Sequence, residues 1–148
     1  MNRYPLAALA CAALIGGCGA DDKSSEPLSK AEFTAQADKI CRDANSRAEA
    51  VEQPAGPAGL DRYVDETKPI LEDLRDEFRG LEDRAPNDIS AGFSEIVDLI
   101  EQTIVKFGEF KDVGTDRAKI AAVGKQLGSL EDQTDALADK TGFKGCAE

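Results

Sequence analysis

The chain has 148 residues, with 29 acidic side chains against 18 basic ones and a net charge of −11 at pH 7. Such a surface repels the phosphates of nucleic acid and of anionic lipid, and no run of Lys or Arg offsets it, so DNA and RNA are not expected partners. The absence of histidine excludes a Ser-His-Asp triad, a Cys-His dyad and metal ligation of the Glu-x-x-His kind, and the single methionine is Met1.

Behind Arg3, the ten residues Leu6–Ile15 form an apolar run. It is too short to span a bilayer as a helix, which takes about 20 residues, and has the length of a secretory signal core. The run closes on Ile15-Gly16-Gly17-Cys18. An aliphatic residue, two small residues and a cysteine resemble the lipobox of bacterial lipoproteins. The resemblance implies cleavage before Cys18, a diacylglyceryl group on its thiol, and an extracytoplasmic domain held at the cell membrane by that lipid anchor. The alternative is an ordinary secreted chain cut after Cys18-Gly19-Ala20. Cys11 is a poor rival anchor, because almost no apolar run precedes it.

Removal of residues 1–17 takes Arg3 with it, leaving 131 residues and a charge of −12. Residues 18–28 then read as the lipidated cysteine and a polar tether, too poor in apolar side chains to fold. Such a tether spans roughly 17–19 Å. Of the remaining cysteines, Cys41 and Cys146 are expected to pair in an oxidising compartment, closing a loop of about 105 residues worth at most roughly 4–5 kcal/mol. Two free thiols are the alternative. Two cysteines without histidine make a poor zinc site.

Residues 29–148 carry four segments with helical period and no strand alternation. Ser29 with Glu32 is a capping-box signature, followed by Phe33, Ala37, Ile40, Cys41, Ala44, Ala48 and Val51 on one face. A Pro/Gly linker over 53–59 ends this segment. The second runs from Leu60 to about Leu81, and Pro69 inside it is expected to kink or split the helix. After the turn Arg84–Asp88, with Asn87 or Asp88 as cap, the third segment extends to about Lys111 and is the most apolar. Thr115 or Asp116 caps the fourth, in which Ile120, Val123, Leu127, Leu130, Thr134 and Leu137 make a narrow coiled-coil-like seam, and Gly142 ends it. Gly124 and Gly128, one turn apart, are read either as a groove for a partner helix or as close packing or simple tolerance within the bundle.

Similar lengths and short links specify an all-α, up-down four-helix bundle. In that topology the fourth helix ends near the start of the first, whereas Cys41 lies some 18 Å along it. Either the residues after the fourth helix climb back along the bundle, or the first helix overhangs it. The segments Phe33-x-x-Gln36-Ala37-x-x-Ile40-Cys41 and Gly142-Phe143-x-x-Cys146 also resemble a group of small lipoproteins and secreted proteins of actinobacterial type. That resemblance supports the helical fold and the disulfide and implies no activity.

Carboxylates cluster in Glu72–Glu77 and in Leu81–Asp88, without the spacing of a calcium loop. Glu72 and Asp76, one turn apart, have a spacing open to acid–base work but commoner on solvated faces. No catalytic residue, metal or cofactor is expected. The leading expectation is a non-enzymatic interaction or structural module, joined to the membrane by its lipid and to an envelope protein of unknown identity. The alternatives are a domain holding a small apolar ligand between helices near Phe93, Phe107 and Phe110, and divalent-cation binding by the acidic faces.

Overall fold

A computed structural model describes residues 26–146, so the lipobox, Cys18 and most of the expected tether lie outside the described residues. Within them the chain is the expected up-down bundle of four long helices, without strands. The helices are α1 (Lys30–Glu49), α2 (Leu60–Glu82), α3 (Ser90–Gly108), a single short turn α4 (Phe110–Val113), and α5 (Arg117–Thr141). None of the helices among the described residues is long and apolar enough to cross a membrane.

Local chemistry sets several boundaries where the sequence places them. Ser29 Oγ accepts from the Glu32 N–H while the Glu32 carboxylate accepts from the Ser29 N–H, a complete capping box. These bonds hold the Glu32 carboxyl below its ordinary value of 4.5, the Ser29 hydroxyl contributing most. At the other end of the chain, Asp116 accepts from the N–H groups of Ala118 and Lys119 and caps α5. Gly142, at φ 89°, terminates α5, and the Phe143 N–H reaches back to the Ala138 carbonyl at 2.8 Å, the bond of a Schellman motif.

Two local expectations are corrected and one is narrowed. Of the kink or split expected at Pro69, the split does not occur: α2 runs unbroken. Buried Val64 before the proline and Ile70, Phe78 and Leu81 after it belong to one packed face. Each large apolar side chain so buried contributes about 1.5–3 kcal/mol, so together they outweigh the roughly 3 kcal/mol that an interior proline costs. Neither Asn87 nor Asp88 caps α3: the Pro86 carbonyl accepts from both Ile89 and Ser90, and Asp88 pairs instead with Lys30 at 3.2 Å. The third segment also breaks at Glu109. A tight 106→109 turn follows, and the resulting bend brings Phe107 and Phe110 edge to face, centroids 5.8 Å apart.

The core has two parts. The larger gathers Phe33, Phe78, Phe93 and Phe143, all fully buried, with Phe93 4.7 Å from Phe33 and 5.0 Å from Phe78 between centroids. The smaller, at the far end, comprises Val64, Phe107, Phe110 and Val123, with Tyr63 against Phe107. Helix α3 is the best-buried element, as its composition predicts. Packing follows chain order, α1 on α2, α2 on α3 and α3 on α5, without extensive packing of α1 on α5.

That open side is bridged by residues 142–146, which climb back along α1. Phe143 enters the main core beside Phe33 and Phe93. The N–H groups of Lys144 and Gly145 donate to Asp38 Oδ1 at 2.8 and 2.9 Å. Cys146 is bonded to Cys41, with Cα atoms 5.0 Å apart. Gly145 lies so close to α1 that a Cβ there would come within 2.6 Å of the Asp38 carbonyl oxygen. The two short motifs noted in the sequence are thus the two halves of one closure: Phe33, Ala37 and Cys41 on the buried face of α1, and the glycine-aromatic-cysteine segment laid against it.

Candidate binding groove

Among the described residues, a groove of about 320 Å³ lies between α1 and α5, with Cys146 at one end. Its floor is apolar and comes from the inner helices: Leu71 and Leu74 of α2, Ile100 and Phe107 of α3, with Leu127 of α5 beside them. Thr103 and Thr134 also line it, each hydroxyl donating to a carbonyl one turn earlier in its own helix. Asn45 of α1 forms the opposite wall, and Cys146 the end. A smaller pocket of about 70 Å³ lies against the disulfide and reaches Phe78 and Ile96. The groove sits where the two halves of the core meet, since Leu71 packs against both.

Two carboxylates, Glu131 and Asp135, stand one turn apart on the α5 rim. Neither carboxylate has an ion pair or a hydrogen bond among the described residues. Some carboxylates elsewhere do meet a cation. Arg47 meets Asp73 at 2.6 Å, Arg75 and Arg79 both meet Glu101, and Lys111 meets Asp65. Hydrogen bonds to Asp76 and then Glu101 raise the Arg75 pKa, and the bond to Asp65 raises that of Lys111. The acidic clusters singled out in the sequence are used in the same way: Glu72 pairs with Lys68, Asp76 with Arg75, and Glu82 accepts from the Ser94 hydroxyl. The Glu72–Asp76 pair is therefore part of the surface ion-pair pattern. Among the described residues no group of three or more carboxylates, histidines or cysteines converges as a metal site would require.

A wider depression of about 480 Å³ lies on the other flank of α5, lined by Gln102, Gln126, Ser129 and Gln133, with Val105 60 % exposed. Although larger, it is the weaker candidate. Among its lining residues only Val105 and Leu130 are apolar side chains, and its two charged residues are already paired, Glu101 with arginines and Lys106 with Glu109. Binding sites for small molecules are mostly apolar with a few convergent polar groups, and the groove beside the disulfide has that character.

The three phenylalanines expected to surround a ligand do not share one site: Phe107 and Phe110 meet in the far-end core, while Phe93 lies in the main core. Phe93 is fully buried at the centre of the main core, packed by Phe33, Phe78 and Phe143. Phe110 belongs to the far-end core, and Phe107 alone touches the groove. Helical period placed all three on one face. It carried no information on the closing segment, whose Phe143 fills the space beside Phe93. The groove residues themselves, drawn from four helices, had no sequence signal beyond ordinary membership of apolar faces. No family model, curated protein or solved structure matches the chain.

Proposed function

We propose that this protein is a non-enzymatic module of the cell envelope, extracytoplasmic and held at the membrane by a lipid on Cys18, that acts by binding an envelope partner. The observation that carries the reading is the Cys41–Cys146 cross-link, which joins α1 to the residues after α5 across 105 positions. Such a bond persists outside the reducing cytosol and suits an exported domain. The capping box at Ser29 supports it too, because the start of α1 is fixed 11 residues beyond Cys18, room enough for a short tether. Intact mass of the protein from a native membrane extract, with and without reductant and alkylation, is the direct test. A chain beginning at acylated Cys18, with Cys41 and Cys146 protected until reduced, is the expected result. An unlipidated chain beginning near Asp21 would remove the anchor.

A second reading, a small-ligand-binding domain, is favoured by the groove. It moves the ligand from the three phenylalanines to the space between α1 and α5, over Leu71, Leu74, Ile100 and Phe107. Saturable binding that is lost when the groove is filled would support it.

A further inference from the structure

The residues that follow α5 reach Cys41 along a path laid down by other contacts. Gly142, at φ 89°, turns the chain out of the helix, and the Phe143 N–H is held on the Ala138 carbonyl at 2.8 Å. The Phe143 ring is fully buried beside Phe33 and Phe93. The next two N–H groups, of Lys144 and Gly145, both donate to Asp38 Oδ1, and the Gly145 carbonyl accepts from Asn45 Nδ2 at 3.4 Å. Asp38, Cys41 and Asn45 stand on successive turns of one side of α1, so Cys41 lies between the two side chains that hold the segment's backbone. None of these contacts involves sulfur, and together they fix every residue of the segment up to Cys146.

We propose that the closing segment seats on α1 before its disulfide forms, and that Asp38 is the positioning residue that brings Cys146 to Cys41. Two N–H groups on one carboxylate oxygen are charge-assisted bonds, stronger than neutral ones, and they act one residue away from the cysteine. With glutathione disulfide as oxidant, the thiolate of half-buried Cys146 attacks it and releases one glutathione thiolate. The thiolate of buried Cys41 then attacks the Cys146 sulfur of the mixed disulfide and releases the second. Two protein thiols are oxidised to one disulfide, glutathione disulfide is reduced to two thiols, and the two protons pass to them. Asp38 acts on the second step, in which the two protein sulfurs must meet.

The full chain carrying Cys11→Ser and Cys18→Ser keeps only this pair of thiols. Its equilibrium with reduced and oxidised glutathione, read by alkylation and mass, gives the effective concentration of one thiol at the other. A free tail as short as residues 142–146 would give a value on the order of mM, and the seated segment is expected to exceed that at least about tenfold. Asp38→Ala should lower the value about tenfold, which raises the potential of this two-electron couple by about 30 mV. Asp38→Asn keeps an oxygen acceptor without the charge and should lower it only about threefold. Asp43→Asn, which removes the exposed partner of Lys39 on the same helix, should leave it unchanged. Gly145→Ala places a Cβ within 2.6 Å of the Asp38 carbonyl oxygen and should lower it as Asp38→Ala does. Hydrogen exchange supplies a readout without sulfur. In the full chain with all four cysteines replaced by Ser, the Lys144 and Gly145 amides should stay protected and lose that protection with Asp38→Ala. Exchange of both amides at the open-chain rate would overturn the proposal, because the disulfide would then be what holds the segment. Equal losses of effective concentration with Asp38→Ala and Asp43→Asn, or no loss with either, would overturn the role of Asp38.

Discussion

Helices α3 and α5 are both long, both lie in the same bundle and pack on each other, yet they are held in different ways. Helix α3 buries Phe93, Ile96, Val97, Leu99, Ile100, Ile104 and Phe107, with neighbours on both sides. Helix α5 buries only Val123, Ala138 and Thr141, and the rest of its apolar seam is half-exposed along two grooves. One helix is fixed by side-chain packing along its length. The other packs on α3 through a shallower, half-exposed seam and is tied at its ends as well, by the Asp116 cap at the start and by Gly142, Phe143 and the disulfide at the finish. A bundle can thus keep an open flank without losing order, provided the edge helix is tied down where it stops.

The difference can be attacked directly. Replacing Cys41 and Cys146 together by Ala is expected to cost up to about 4–5 kcal/mol, measured by urea unfolding, because the loop they close is long. Hydrogen exchange in that variant should rise first in the last turns of α5 and leave α3 protected. Uniform acceleration would mean that the two helices share one source of stability. Phe93→Ala should cost about 3–5 kcal/mol with the disulfide intact, whereas Leu130→Ala on the half-exposed seam should cost under about 1 kcal/mol. Comparable losses at the two positions would erase the contrast.

Two substitutions are expected to stabilise. The Thr67 hydroxyl of α2 is buried without a partner, so Thr67→Val should raise stability by up to about 1 kcal/mol. Gly124 and Gly128 have open space where a Cβ would stand. Changing Gly128 to Ala should therefore add about 0.4–1 kcal/mol in thermal unfolding, and a loss instead would reveal close packing at that position. The smallest effect is that of acid. The Glu32 carboxyl is held below 4.5 in the folded state, so its contribution is present above that pH and fades as pH falls through the lowered value. Glu32→Gln should flatten this part of a stability–pH curve and leave its slope near neutrality unchanged.

The contrast between the two helices also marks what the sequence discloses. Helix ends were legible because each rests on one or two residues with strong local preferences: Ser29 with Glu32, Asp116, and Gly142. The burial of α3 was legible because its apolar face is broad. The unbroken course of α2 past Pro69 was not legible, because the proline's local cost is set against packing that a single helix does not reveal. The depth of the α5 seam was not legible, because spacing fixes the direction of a stripe and not the depth of its neighbours. The groove was illegible for a related reason: it exists only because α1 and α5 do not close on each other, a property of no one segment. Phe143 could have been found, since an aromatic residue between a helix-ending glycine and a cysteine is hard to place in solvent.

The closing segment has a further consequence, in the order of events rather than in energy. All the broad helix–helix contacts join elements adjacent in the chain, through short links. Contacts of that kind form early, because little chain must be brought together for each. The contacts of Phe143 with Phe33, of Lys144 and Gly145 with Asp38, and of Cys146 with Cys41 span more than a hundred residues and follow every helix. The bundle is therefore assembled before it is fastened. During that interval the flank between α1 and α5 stands wider than in the finished protein.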